Sequence, residues 1–335
     1  MSPKKISLED RFLIAGARGM AGKSICKKLK AAGYGNIKNG GVIFEPPRAE
    51  LDLLDLNAVK DWFKKNKPNI VIIAAAKVGG IYANSEYPAS FILENLKIQT
   101  NLIEISWQFG IKRLLFLGSS CIYPKYAKQP IKEEYLLEKA LEATNQWYAV
   151  AKISGLKLCE ALRLQYGFDA ISLMPTNLYG PGDNYHPKNS HVIASLIRKF
   201  VQATKNNNKQ VTCWGTGLAR REFMHVDDLG EACVFSLEKW DINKDNAPTD
   251  NNGVPLNWLN IGTGVDISIK DLAEKIANIT KFKGEIIWDK SKPDGTPRKL
   301  LDTSKINSLG WNYKINIDEG LKKVIKEFKI TEGLL

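Results

Sequence analysis

Residues 10–22 read DRFLIAGARGMAG. A short apolar run ends at Gly16, and Gly16, Gly19 and Gly22 then form a GxxGxxG ahead of a stretch with helical spacing. An apolar run of this length reads as a buried parallel strand. Glycines behind such a strand allow a tight turn and let backbone N–H groups approach a pyrophosphate at a helix N-terminus. The pattern alone is common, and its place between a first strand and a first helix is what points to a dinucleotide. Gly16, Ala17, Arg18, Gly19, Met20, Ala21 and Gly22 are therefore candidate cofactor-binding residues.

The same alternation continues outward from this loop. GGVIFEPP, NIVIIAAA, KRLLFLGSS and DAISLMPTNLYGP read as strands two to five, the last running into a loop. LDLLDLNAVKDWFKKNKP, ENLKIQTNLIEISWQFG and YAVAKISGLKLCEALRLQYG carry helical periodicity between them. Strands alternating with helices predict an α/β fold with a doubly wound parallel (Rossmann) sheet. Past Pro181 the pattern turns irregular, with polar loops DNYHPKNSH and WDINKDNAPTDNNGVP, and PLNWLNIGTG reads as a late strand returning to the sheet. The expected division is a dinucleotide-binding domain over 8–182, with return segments near 222–240 and 256–263. A smaller, mainly substrate-binding α/β domain then covers 183–335, across the carboxyl ends of the strands where ligands of such sheets bind.

Composition narrows the class. The chain has 335 residues, 44% of them hydrophobic, enough for about two packed domains. No apolar run approaches the roughly 18–20 residues that span a bilayer. The start, MSPKKISLEDRFLIAGARGM, lacks a signal-peptide core. Cys26, Cys121, Cys159, Cys213 and Cys233 form no CxxC pair, as expected in a reducing compartment. These features predict a cytoplasmic protein without a membrane partner. The net charge of +12 is spread over short clusters such as KKLK, which suits solvated helix faces or a small anionic ligand better than nucleic acid. Three histidines without paired cysteines predict no metal site.

Two further motifs bear on chemistry. The second strand ends in Glu45-Pro46-Pro47-Arg48. Glu45 could accept from a ribose hydroxyl, as in NAD sites, whereas Arg18 and Arg48 could hold a 2′-phosphate; the two arginines favour NADP(H), with NAD(H) left open. Asn145-Gln146-Trp147-Tyr148-Ala149-Val150-Ala151-Lys152 contains a YxxxK, whose two side chains share a helix face. An ammonium there would lower the tyrosine pKa and fit Tyr148 to protonate a carbonyl oxygen that receives hydride. Ser119, at the end of the fourth strand, would hydrogen-bond that oxygen. Two residues on sits Cys121, which on composition alone reads as a core thiol at a strand end. His191, in a polar loop, reads as readily as a surface residue or cap as it does as a functional group. His186 and His225 read as structural.

GxxGxxG, a strand ending in GSS and YxxxK in this order resemble the short-chain dehydrogenase/reductases, in their extended, nucleotide-sugar-modifying branch. AAAKVGGI (Ala74–Ile81), LGSSCIYP (Leu117–Pro124), MPTNLYGP (Met174–Pro181), NSHVI (Asn189–Ile193), REFMHVDDL (Arg221–Leu229), NIGTG (Asn260–Gly264) and KPDGTPRKLLD (Lys292–Asp302) extend the likeness to the GDP-4-keto-6-deoxy-D-mannose 3,5-epimerase/4-reductases over nearly the whole chain. Two features depart from that pattern: Trp147 where the family often has proline, and a lengthened polar segment, Asp241–Gly253. The end of the second strand also matches loosely.

The resemblance implies a 4-keto sugar as substrate, whose carbonyl acidifies the C–H bonds at C3 and C5. It makes Cys121 the base and His191 the acid of two epimerisations, and both groups titrate near neutral pH. NADPH then reduces C4, with Tyr148, Lys152 and Ser119 as the reducing set, to give GDP-L-fucose. By the same resemblance Leu117, Gly118, Ser119, Ser120, Lys152, Pro175, Thr176, Asn177, Leu178 and His191 face the cofactor. Lys199, Trp214, Arg221, Asp294 and Lys299 hold the GDP-sugar. Asn95 buttresses the catalytic helix, and the long helices that pair in the family predict a homodimer. A dehydratase of the same branch would carry an acidic pair where this chain has SSCIY, and a 4-epimerase would not need Cys121 and His191. A non-catalytic dinucleotide sensor would be expected to lose YxxxK.

Overall fold

The computed structural model describes residues 4–187 and 189–334, so Lys188 of the DNYHPKNSH loop and Leu335 lie outside the described residues. The chain starts as expected. Strand β1 (Arg11–Ala15) leads through the glycine turn into helix α1 (Met20–Ala31). Then follow β2 (Val42–Phe44), α2 (Leu56–Asn66), β3 (Ile70–Ile73), α3 (Ile81–Glu86), α4 (Pro88–Gln108), β4 (Arg113–Leu117), α5 (Gln146–Tyr166) and β5 (Ala170–Pro175). Asp55 caps α2 by accepting from the N–H groups of Asn57 and Ala58, and Gly167 in the left-handed region ends α5.

Past β5 come β6 (Asn177–Tyr179), α6 (Val192–Lys205), β7 (Gln210–Trp214), β8 (Arg220–His225), α7 (Val226–Lys239) and β9 (Trp258–Ile261). The chain closes with β10 (Asp266–Ser268), α8 (Ile269–Thr280), β11 (Glu285–Asp289), β12 (Arg298–Lys299), α9 (Ser304–Ser308) and α10 (Ile317–Thr331). The central sheet runs β2-β1-β3-β4-β5-β9, with every pairing parallel. PLNWLNIGTG thus supplies the returning edge strand. Strand order reverses between β1 and β3, which opens a ligand crevice at their carboxyl ends.

The fully buried strands β3, β4 and β5 are apolar but for Arg113 and Ser172 because helices cover both faces of the sheet. One core layer lies under α1 and α7, the other under α2, α4 and α5. A third cluster joins α6, α8 and α10.

Two expectations change. The loop after β5 contains β6, which pairs with β8 in a second sheet holding β10, β8 and β12. Its three residues between Thr176 and Gly180 are too few to show a period, so it reads as loop. The segment beyond Pro181 is not irregular but carries capped helices; Ser268 accepts from Asp271 N–H at the start of α8, and Asn316 accepts from Glu319 N–H at the start of α10.

Candidate active site

The cofactor loop is glycine-dependent for two separate reasons. Gly16 has φ +87°, and a Cβ there would lie 2.6 Å from the backbone nitrogen of Ala75, at the exit of β3. A Cβ on Gly22 would lie 2.1 Å from the carbonyl oxygen of Gly16, so the third glycine lets α1 sit on the turn. No side chain caps α1 and no acid occupies its first turn. The first N–H groups and the positive end of the helix are thereby presented to an anion, which fits a dinucleotide pyrophosphate. Beyond the end of β2, Glu45 is ion-paired to Lys30. Arg18 and Arg48 are exposed, Arg48 lying 3.9 Å from Asp52.

The turn after β4 concentrates reactive groups. Gly118 sits where a Cβ would lie 2.2 Å from Met174 Sδ, so the ends of β4 and β5 close tightly. Ser119 caps the single 3-10 turn Ser120–Ile122, its Oγ accepting from Cys121 N–H at 3.2 Å. Ser120 and Ile122 are buried beneath the turn, and the Tyr123 hydroxyl donates to Asn260 in the interior. Cys121 is left in a small pocket with Glu142, Asn145, Thr296 and Lys299.

Helix α5 brings Tyr148 and Lys152 to the same turn. Buried Lys152 donates from Nζ to Leu117 O at 2.8 Å, and its Nζ lies 5.9 Å from the Tyr148 ring centre. Ser119 acts on both the Tyr148 phenol and the Cys121 thiol, favouring the charged form of each. The expected effect of Lys152 on Tyr148 is not found. Burial and the nearby Cys121 charge push Tyr148 well above its ordinary value, against a smaller opposing pull from Ser119. The ammonium points to the Leu117 carbonyl instead, and burial lowers Lys152 to about 7.

Cys121 behaves in the opposite sense. Burial disfavours its thiolate, but Lys299, Ser119 and Arg221 together hold the thiol below its ordinary range. His191 stands at the N-terminus of α6 and is lowered by the surrounding protein and then by Lys299, so one cation acts on both residues. The approach to His191 is set from across the crevice. A Cβ on Gly80 would lie 2.9 Å from Ser190 O, and Gly80 N–H donates to Asn189 O at 3.4 Å. Two glycines of AAAKVGGI therefore have distinct work: Gly79 clears Ala83, and Gly80 admits the His191 loop.

The facing wall comes from the second sheet. Thr176 Oγ1 and Asn177 Nδ2 both donate to Glu222 O, at 3.1 and 2.8 Å, while Pro175 pairs with Ile261 and Leu178 with Met224. The buried Glu222 carboxylate accepts from Thr263 N–H at 2.6 Å, Gly264 N–H at 2.8 Å and Leu301 N–H at 2.9 Å. It thereby gathers β8, the NIGTG loop and the segment after β12. Register then sets Lys299 beside Arg221. Arg221 donates to Asp294 O at 3.1 Å.

The Asp294 carboxylate is turned onto Thr216, accepting from its N–H and hydroxyl at 2.8 Å each, so its side chain latches the loop after β7. Lys199 donates to Thr212 O at 2.8 Å and lies 5.9 Å from the ring of Trp214, which is half exposed and also faced by Lys292. Ser119, Cys121, Tyr148, Lys152, Arg221 and Lys299 thus converge, while Lys199 and Trp214 gather beyond the Asp294 latch.

Some residues escape a reading by motif. The side-chain amide of Asn95 clamps the N–H and C=O of Lys77, after β3. Gln99, one turn later, is the residue that donates to Ala151 O in α5. Both are amides on the buried face of α4, and the sequence carries no signal for which one meets α5. Asn145 lies three residues before Tyr148 and so on the same helix face, a signal that was present; its Nδ2 lies 3.5 Å from Cys121 Sγ. His225 caps α7 by accepting from Asp227 N–H at 3.1 Å. Among the described residues no group of three metal-ligating side chains occurs, and no helix is long and apolar enough to cross a membrane.

Comparison with known proteins agrees with this geometry. The NAD dependent epimerase/dehydratase family matches residues 12–247. GDP-L-fucose synthase 1 of Arabidopsis thaliana is 50% identical, covering 93% of this chain and 91% of that protein. GDP-L-fucose synthase of Escherichia coli (strain K12) is 47% identical over 96% and 97%. A solved GDP-mannoheptose C4 reductase from Campylobacter jejuni with NADP bound superposes with a TM-score of 0.83 at 36% identity, covering 97% of this chain and 99% of that one. The chain belongs to the NAD dependent epimerase/dehydratase family, among the extended short-chain dehydrogenase/reductases, and its near relatives there are GDP-L-fucose synthases.

Proposed function

We propose that this chain converts GDP-4-keto-6-deoxy-D-mannose to GDP-L-fucose by inverting C3 and C5 and then reducing the C4 ketone with NADPH. The observation that carries the reading is the turn after β4, which sets Cys121 beside Ser119 and Tyr148. A plain reductase needs Ser119, Tyr148 and Lys152; a low thiol beside them has work only if a carbon acid must be deprotonated. Cys121 is the base at the carbons next to the ketone, and His191 returns the proton from the other side. Ser119 and Tyr148 hydrogen-bond the C4 oxygen as enolate charge develops there. The nicotinamide, when bound, supplies the hydride. Tyr148, kept protonated by its surroundings, gives its proton to the C4 oxygen, and Lys152 fixes the strand end that presents Ser119.

Gly16–Gly22 hold the pyrophosphate, and Leu117, Gly118, Ser120 and Pro175–Leu178 line the nicotinamide side. Exposed Arg18 and Arg48 take a 2′-phosphate, while Glu45 is engaged by Lys30; the bound NADP of the C. jejuni relative supports the same preference. Arg221 and Lys299 take the diphosphate, Trp214 packs on guanine with Lys199 nearby, and Asp294 acts through the loop it latches. A dinucleotide-binding unit over 8–182, completed by return segments, carries a substrate unit over 183–335. Exposed Leu93 on α4 and Trp147, Val150 and Leu164 on α5 support a homodimer through these helices, and free thiols support a cytoplasmic setting.

The test supplies GDP-4-keto-6-deoxymannose with NADPH or NADH and identifies the sugar. GDP-L-fucose, formed faster with NADPH, is expected; its absence with both cofactors overturns the reading. A light-scattering mass of two chains is expected, and one chain refutes the dimer.

A further inference from the structure

Cys121 is addressed from three separate parts of the fold. Ser119 Oγ accepts from the Cys121 N–H within the same turn and favours the thiolate. Asn145, at the cap position of α5, directs Nδ2 to the sulfur at 3.5 Å. Lys299, in β12, directs Nζ to it at 3.5 Å. The ammonium is not free to wander at its base, because β12 is hydrogen-bonded in register with β8. Lys299 is grouped with diphosphate-binding residues by resemblance, yet here it contacts the thiol directly.

The surrounding charges agree. Arg221 faces the sulfur from β8 with the same sign as Lys299. His191 feels Lys299 from the start of α6, and Tyr148 feels Cys121 from α5. Glu142 lines the pocket with the opposite sign but is neutralised by Lys125 at 2.9 Å. A thiolate in such a partly dry pocket needs a counter-charge, since burial alone favours the neutral thiol.

We propose that Lys299 is the counter-cation that keeps Cys121 ionised in the resting protein, with Asn145 aiming the sulfur, so that both are positioning residues for the carbon-acid step. This rests on the reading of Cys121 as the base. When the sulfur takes a proton from the substrate carbon, Lys299 loses its counter-charge. Its field then falls more fully on His191 and favours release of the imidazolium proton to the opposite face of the same carbon. One proton leaves the carbon for sulfur and one arrives from nitrogen, so the step balances.

The test needs no substrate. Alkylation of the full chain by iodoacetamide is followed at the Cys121 peptide by mass spectrometry across pH; Cys26, Cys159, Cys213 and Cys233 are buried. Replacing Lys299 by Met is expected to slow alkylation at pH 7 about tenfold and to move the midpoint to higher pH. Lys299→Arg should restore most of the rate. Asn145→Ala should slow it about twofold to threefold without moving the midpoint. Lys299→Gln, checked by its melting curve, guards against a folding defect in the Met variant. A wild-type midpoint in folded Lys299→Met or Lys299→Gln overturns the proposal. Failure of the proposed function is read separately, because wild-type protein that makes no GDP-L-fucose would still show or lack the Lys299-dependent midpoint.

Discussion

On the β4–α5 side of the site, Ser119, Cys121, Asn145, Tyr148 and Lys152 come from neighbouring segments, with Cys121 contacted by Ser119 and Asn145 and Lys152 tied to Leu117 at the end of β4. On the β8–β12 side, Arg221 and Lys299 are distant in sequence, and a third residue brings their strands together. Glu222 does this from the interior through three backbone N–H groups. The proposed function of the first wall rests on side chains that face the pocket, so substitutions there should alter chemistry while leaving the fold. The second depends on a buried carboxylate that meets no ligand, so its weakest point lies behind the site.

The sharpest way to break this contrast is within the first wall. Cys121→Ser should slow solvent-deuterium entry at C3 and C5 by about 10³–10⁴, the range of a lost acid–base group. Tyr148→Phe should slow NADPH oxidation by about 10²–10⁴, because the proton donor is lost, and slow that deuterium entry less, because Ser119 still hydrogen-bonds the enolate oxygen. Product mass in deuterated water, set against the loss of NADPH absorbance, reads both. Equal losses in the two variants would mean that one group serves both steps.

For the second wall, Glu222→Gln replaces one acceptor oxygen by a donor in the interior. It should lower stability by about 2–3 kcal/mol, because buried N–H groups lose their partner. Denaturant midpoints check this, and an unchanged midpoint would remove Glu222 as the organiser. A smaller effect sharpens the first wall. Burial holds Lys152 at about 7, below its unfolded value. Between pH 7 and the ordinary lysine range the unfolded chain binds more protons than the folded one, so stability rises with pH there, by at most about 1.4 kcal/mol per unit. Lys152→Met should flatten this slope and raise the midpoint at pH 7; a slope that persists assigns it elsewhere.

Legibility in the sequence followed the same division. The glycine loop, GSS and YxxxK are local patterns whose spacing maps directly onto one turn or one helix face, so the first wall could be read. Glu222 could not, because it stands in a basic strand with nothing to mark it as buried, and its partners are backbone groups that leave no trace in residue type. Asn95 and Gln99 show the same limit at close range: two amides a turn apart, one meeting the Lys77 loop and the other α5, separated by a packing angle. The three-residue β6 is a strand through its partner β8 alone.

The hydroxyl of Ser119 carries a single hydrogen, although it favours charge on both the thiol and the phenol. It can donate to Cys121 or to Tyr148, never to both in the same instant. Whichever partner holds negative charge captures that hydrogen and leaves the other facing a lone pair. In the proposed mechanism the hydroxyl therefore works as an arbiter with one token, supporting charge on the thiol or on the phenol but not on both at once.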